Sequence, residues 1–215
     1  MMAQFVTLAV LRHYRGIARY EKQQREHRWE YVLPRASYEV PVGIMGIGML
    51  GGAAARMVSS IGFPVAGWGR SSRTIDGVET FHGTAGLAPF LARTEILVCL
   101  LPLTRETRHI VNRDVLYQLP RGAKLVNCGR GGTVDEAALL AALEDGQIAE
   151  ATLDVFETEP LPPTHPFWRM DQVLVVPHIG SIAVPEIAAR DVVENIRRLR
   201  TGQPLLNIVD RARGY

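Results

Sequence analysis

Three residues stand out as able to do chemistry together: Arg130, Glu159 and His178. Each lies just beyond an apolar, strand-like run, at 123–128, 148–153 and 173–177 respectively. Arg130 sits between Gly129 and Gly131, where its planar guanidinium could grip a carboxylate with two parallel hydrogen bonds. The same arginine could instead hold its own loop through backbone carbonyls. His178 follows Pro177, a place where a lone histidine serves equally well as a cap or a core side chain. Glu159 tips the reading. A carboxylate on the far nitrogen of His178 would favour the protonated ring that a proton donor needs.

Such residues are collected at one edge by a parallel α/β sheet, where ligands bind beyond the carboxyl ends of the strands. The stretch that would organise that sheet is Val42-Gly43-Ile44-Met45-Gly46-Ile47-Gly48-Met49-Leu50-Gly51. Gly46 permits the turn from strand to helix, Gly48 lets a pyrophosphate reach the backbone, and Gly51 lets the helix pack closely. The helix N-terminus offers its unpaired N–H groups to the phosphates. Glycine-rich turns also arise for structural reasons alone, but here an apolar strand precedes the turn and a helical pattern follows it.

The remaining chain alternates in the same manner. Strands are expected at 40–45, 64–68, 95–100, 123–128, 148–153 and 173–177, with an ambiguous stretch at 78–81. Helices are expected at 49–60, 85–92, 112–118, 134–144 and 185–200. Thr133 reads as the N-cap of the fourth of these, with Glu136 completing a capping box. The last helix carries Ala188, Val192, Ile196 and Leu199 on one face. The expected class is α/β, a Rossmann-type parallel sheet with helices on both faces. Residues 3–24 read as one long helix with two apolar surfaces, Phe5, Leu8, Ala9 and Leu11 on one and Val6, Val10, Tyr14 and Ile17 on the other. That breadth fits packing on its own domain and packing on a partner subunit about equally.

Composition narrows the function classes. A formal charge of +2 with 21% charged residues gives no case for nucleic acid, and 47% hydrophobic residues is ordinary for a globular enzyme. No apolar run is long enough to span a membrane and no signal-peptide pattern opens the chain. Cys99 and Cys128 lie in apolar runs and read as core thiols of a reducing compartment, so the cytoplasm is the expected location. The six histidines show no metal-ligand spacing.

Several motifs converge on one family. They are Leu8-Ala9-Val10-Leu11-Arg12-His13-Tyr14-Arg15, the glycine turn, Leu100-Leu101-Pro102-Leu103-Thr104 and Val126-Asn127-Cys128-Gly129-Arg130-Gly131. Leu153-Asp154-Val155-Phe156-Glu157-Thr158-Glu159-Pro160-Leu161-Pro162, Pro177-His178-Ile179-Gly180 and the terminal Asp210-Arg211-Ala212-Arg213-Gly214-Tyr215 complete the set. Across essentially its whole length the chain resembles the D-isomer-specific 2-hydroxyacid dehydrogenases. The resemblance implies that Arg130 grips the substrate carboxylate and carbonyl oxygen, His178 donates the proton, and Glu159 orients and charges His178. It implies cofactor contacts from Gly46, Ile47, Gly48, Met49, Leu50 and Gly51 on the turn, and from Trp68, Arg70, Ser71 and Arg73 after the second strand. Further contacts are implied for Leu101 and Pro102, for Asn127, Cys128 and Gly129, and for Asp154, His178 and Gly180, with Asp154 on the nicotinamide side. An NAD site places an acid near Gly69, whereas Arg70 and Arg73 suit a 2′-phosphate, so NADP(H) is the preferred cofactor expected and NAD(H) a possible one.

The expected reaction is NADPH-dependent reduction of glyoxylate, hydroxypyruvate or a similar small 2-keto acid to the D-2-hydroxy acid. A non-catalytic, cofactor-binding, dimerising fragment is the alternative, and a methyltransferase would leave Arg130, Glu159 and His178 without a purpose. By the resemblance, residues 1–30 form a linker and dimerisation helix giving a homodimer, 38–182 the cofactor domain, and 183–215 a return helix with a remnant of a second domain. Most of that second, substrate-holding domain would lie ahead of this chain's start, making the chain a fragment or its start a misplaced one. The 215-residue chain is therefore expected to bind cofactor but to reduce glyoxylate very poorly, because a misplacement of about 1 Å can cost roughly a hundredfold in rate. Steady-state NADPH oxidation beside a version extended upstream checks this. Turnover reaching a tenth of the longer version's would refute it.

Overall fold

In β4 (Ile96–Cys99), Ile96 and Val98 enter one apolar cluster while Leu97 and Cys99 enter another. Alternate side chains of a strand point to opposite faces, so both faces of this strand are covered. A computed structural model describes residues 1–182 and 185–209. Around β4 it has β1 (Val42–Met45), β2 (Val65–Gly69), β3 (Glu79–His82), β5 (Ala123–Asn127), β6 (Ile148–Leu153) and β7 (Val173–Val175). All seven pair in parallel in the order β3-β2-β1-β4-β5-β6-β7. The chain reverses its direction of travel across the sheet between β1 and β4, the point at whose carboxyl edge sheets of this kind bind their ligands. The parallel Rossmann-type sheet expected from the sequence is present. The ambiguous stretch at 78–81 proves to be the edge strand β3, with no residue of it fully buried.

One face of the sheet is covered by α4 (Leu87–Ala92), α5 (Arg113–Gln118) and α6 (Glu136–Glu144), which contribute Phe90, Leu116 and Leu139 to the core. The other is covered by α1 (Met2–Tyr14) and α3 (Met49–Ser60), through Val6, Val10, Ala54 and Val58. Cys99 and Cys128 are both free and buried.

Two local expectations are corrected. The single helix over 3–24 is two, α1 and α2 (Ile17–Arg25), because Gly16 adopts a left-handed φ of +61° that stops the first and starts the second. Helix α6 begins at Glu136, not 134, and its N-cap is Asp135, whose carboxylate accepts from the Ala138 amide at 3.1 Å. Thr133 instead donates its hydroxyl to the Arg130 carbonyl at 2.6 Å, inside a short 3-10 turn over Gly131–Thr133. Glu136 is thereby released from capping and accepts from the Glu157 amide at 2.8 Å.

The chain divides into two compact units, Met1–Gly180 and Ser181–Tyr215. The second contains α7 (Pro185–Arg200), whose Asn195 exchanges hydrogen bonds with the backbone of Leu206 at 2.8 and 3.3 Å. Val192, Ile196 and Leu199, expected on one face, are exposed there. The motif at 210–215 lies outside the described residues. Among those residues no helix is long and apolar enough to cross a membrane.

Helix α1 is tied to the sheet by a buried polar contact. His13, 3% exposed, places Nδ1 3.0 Å from the Glu150 carboxylate and Nε2 3.0 Å from the Thr152 hydroxyl. Burial holds the imidazole pKa below its ordinary value, and Glu150 only partly opposes this. Below an ordinary histidine pKa of about 6.5 the unfolded chain binds a proton that the folded chain refuses. Stability contributed by neutral His13 is thus complete above that pH and declines as the pH falls towards the depressed folded value. Thermal melts at pH 7.5 and 5.5 are expected to show a larger acid loss for the unmodified chain than for His13→Gln. Equal losses would contradict the assignment.

Candidate active site

The turn after β1 approaches its neighbours so closely that side chains are excluded. Gly46, at φ +98°, donates its N–H to the Trp68 carbonyl at 2.8 Å. A Cβ on Gly51 would stand 2.0 Å from the Gly46 carbonyl oxygen, so α3 presses directly on the turn. At Gly48 the same construction meets nothing within 4 Å. Helix α3 starts there with no side-chain cap, and Met49 and Leu50 are exposed beside it. An open backbone surface at an uncapped helix N-terminus fits a pyrophosphate.

Ile47, by contrast, is buried and fills the space that side chains at Gly67 and Gly69 would need. Its Cγ2 lies 2.5 Å from a Cβ at Gly67 and its Cγ1 3.3 Å from one at Gly69. The glycine at the end of β2 is therefore part of the packing as well as the absence of an acid. Trp68 is a core residue, its indole N–H donating to the Gly83 carbonyl at 3.0 Å. Arg70, Ser71 and Arg73 follow on the exposed loop.

At the next two strand ends the loops are packed backbone to backbone. Leu101 is buried and Pro102 half-buried, and a Cβ on Gly129 would lie 2.6 Å from the Leu101 carbonyl. Asn127, 1% exposed, braces the loop after β5: its Oδ1 accepts from the Gly129 amide at 3.2 Å and its Nδ2 donates to the Arg130 carbonyl at 3.4 Å. Cys128 is buried, and burial drives its thiol pKa well up, away from a reactive thiolate. Arg130 donates one N–H to the Gly129 carbonyl at 2.7 Å. The loop-holding alternative is thus partly realised, while the remaining guanidinium N–H groups make no further hydrogen bond among the described residues.

Asp154 is buried and both its oxygens accept backbone amides, Ile179 at 2.7 Å and Gly180 at 2.9 Å. A Cβ on Gly180 would stand 2.7 Å from the Asp154 carboxylate. This clamp fixes the segment in which His178 takes a left-handed φ of +57°. Glu159 in turn accepts from the Phe156 amide at 2.9 Å and holds His178 Nδ1 at 2.8 Å. Burial acts to raise the Glu159 pKa, but His178, the Phe156 amide and Arg130 outweigh it and keep the carboxylate below its ordinary range.

Arg130, Glu159 and His178 line one cleft of about 260 Å³. Leu103, Arg108, Gly131, Gly132, Phe156 and Glu157 line it with them, and none of these is marked for the site by residue type or spacing. Gly131 is there because a Cβ would sit 1.8 Å from the Phe156 carbonyl carbon. Arg108 lies in a loop with no regular element to announce it.

The chain matches the family model described as "D-isomer specific 2-hydroxyacid dehydrogenase, NAD binding domain" over residues 7–180. The chain belongs to this family. It is 40% identical over 214 residues to glyoxylate/hydroxypyruvate reductase A of Yersinia enterocolitica, covering all of this chain and 68% of that protein. A D-isomer specific 2-hydroxyacid dehydrogenase from Xanthobacter autotrophicus Py2, solved with NADPH and MES, superposes with a TM-score of 0.97 at 56% identity, covering 100% of this chain and 89% of that one. An NADPH-dependent glyoxylate/hydroxypyruvate reductase from Sinorhizobium meliloti, solved with NADP and sulfate, gives 0.96 at 42% identity, covering 100% and 69%.

In this member of the family the Asp154 clamp can be tested without any turnover. Hydrogen bonds to a charged acceptor contribute about 1.5–3 kcal/mol each. Asp154→Ala is expected to lower unfolding stability by a few kcal/mol in total and to speed amide exchange at Ile179 and Gly180. Unchanged protection of both amides, measured by NMR, would rule the clamp out.

Proposed function

We propose that the chain carries out NADPH-dependent reduction of glyoxylate, hydroxypyruvate or a similar small 2-keto acid to the D-2-hydroxy acid. The observation that carries this reading is the Glu159–His178 contact at 2.8 Å in the cleft that Arg130 also lines. A histidine held by Nδ1 turns its other nitrogen to a ligand and keeps one orientation. Glu159, held ionised, stabilises the imidazolium until His178 gives its proton to the substrate's carbonyl oxygen. Arg130 pairs with the carboxylate and neutralises charge growing on that oxygen. The nicotinamide cofactor, when bound, supplies the hydride.

The groups that would hold that cofactor follow the carboxyl edge. The turn at Gly46–Gly51 takes the pyrophosphate, and Arg70, Ser71 and Arg73 take the 2′-phosphate. Ile47 and Trp68 support that corner from beneath. Leu101 and Pro102, the Asn127-Cys128-Gly129 loop, and Asp154 with Gly180 line the way to the nicotinamide. The relatives solved with NADPH or NADP support this preference.

Residues 1–30 act in this reading as the linker and dimerisation segment, 38–182 as the cofactor domain and 183–215 as the return segment. Leu8, 65% exposed, and Leu11 leave an apolar strip on α1 while Val6, Ala9 and Val10 are spent on the chain's own core. That strip supports a homodimer. Two buried free thiols suit the cytoplasm.

Two measurements test the proposal. Titration of the purified chain is expected to give tighter binding of NADPH than of NADH, and equal or reversed affinities would overturn the cofactor preference. In a version extended upstream by the missing half-domain, His178→Ala is expected to lower kcat by about a hundredfold or more with NADPH affinity little changed, since the proton is needed only in the transition state. Arg130→Lys should raise KM and lower kcat together, because the ammonium loses the planar fork. Near-normal reduction by either variant would remove that residue from the reaction.

A further inference from the structure

The cleft contains a second arginine whose charge is already answered. Arg108 Nη1 lies 3.3 Å from Glu157 Oε1, and His109 Nε2 shares the same oxygen at 3.2 Å. The pair is set by its backbones. Thr107 anchors the Arg108 loop by donating to the Pro102 carbonyl at 2.6 Å and accepting from the Thr104 amide at 2.7 Å. The His109 amide donates to the Gly132 carbonyl at 2.9 Å, so the loop is stitched to the cleft floor. Across from it, the Glu157 amide is held by Glu136 at 2.8 Å. The Arg108 guanidinium reaches over that floor, its Nη1 3.4 Å from where a Cβ on Gly132 would be.

The charges around the cleft then have a simple meaning. Arg108 and Glu157 cancel, and Glu159 is committed to His178. Among the described residues lining the cleft, Arg130 is left as the cation for one carboxylate. When His178 carries the proton it will deliver, the lining holds one net positive charge, matched to a monoanion. A second anionic group on the substrate would meet Glu157, or would have to draw Arg108 from it. From this juxtaposition we infer that Glu157 is a specificity-determining residue: by neutralising Arg108 it restricts the cleft to 2-keto acids with an uncharged tail and disfavours 2-keto dicarboxylates. The inference rests on the proposed keto-acid reduction and deepens it.

Removing the charge while keeping the shape tests it. Glu157→Gln in the full chain is expected to raise kcat/KM for oxaloacetate relative to glyoxylate by roughly threefold to fivefold, the range an exposed ion pair supplies. The gain should shrink as ionic strength rises and vanish in Glu157→Gln/Arg108→Leu. A ratio that stays put, or a gain that survives the loss of Arg108, overturns the inference. Calorimetric binding of D-malate and glycolate to the NADPH-loaded protein, a pairing in which no hydride can transfer, supplies a readout independent of turnover, with the malate-to-glycolate affinity ratio rising in Glu157→Gln. Should the unmodified chain reduce neither keto acid, the proposed reaction fails, and this binding ratio alone then upholds or overturns the role of Glu157.

Discussion

The constraint on which everything else depends is direct backbone contact at the carboxyl edge of the sheet. Helix α3 lies against the turn at Gly46 with no room for a Cβ at Gly51, and Gly131 lies against the carbonyl of Phe156 in the same manner. Contacts of this kind have no side chains to rearrange, so they fix loop positions rigidly. They bring the uncapped N-terminus of α3 to the carboxyl edge between β1 and β4, and they bring Arg130 up to the segment that carries Glu159. Were either contact filled by a methyl group, the loops would separate and the site would lose its geometry before it lost any functional side chain.

Onto that rigid edge a second layer of polar contacts adds direction. Asn127, Asp154 and Glu159 each bind backbone amides within a few residues of a functional group. Asp154 fixes the backbone on the far side of His178, and Glu159 fixes its ring. The histidine is thereby held from two independent sides, in a backbone conformation that non-glycine residues seldom adopt. Preorganisation of this sort is the main contribution a protein makes when a cofactor performs the difficult chemistry. In the same cleft Arg108 pairs with Glu157, whereas Arg130 donates to the Gly129 carbonyl.

Much of this was legible in the sequence because it rests on short-range signals. Residues 49–60, 148–153 and 185–200 have the bounds that apolar periodicity indicates, and Arg130, Glu159 and His178 sit just beyond strand-like runs. The break at Gly16 was not legible, since the apolar stripe continues across it and one glycine in a helical pattern gives a weak signal. Thr133 was misread as a cap because its hydroxyl had two equally local uses, the helix amide and the Arg130 carbonyl. The contacts of buried His13 with Glu150 and Thr152 join residues more than a hundred positions apart, which no spacing rule reveals. Arg108 and Glu157 were missed for a related reason: what makes them part of the cleft is a loop anchored by Thr107, with no periodicity of its own.

The proposed reaction brings a hydride from the cofactor and a proton from His178 to opposite ends of one carbonyl with a fixed hand. End-point product analysis after prolonged incubation with hydroxypyruvate and NADPH carrying deuterium at both C4 positions tests it even at slow turnover. The expected product is a 2-hydroxy acid carrying deuterium at C2 and of D configuration. Product of L configuration, or product without the label at C2, would contradict it.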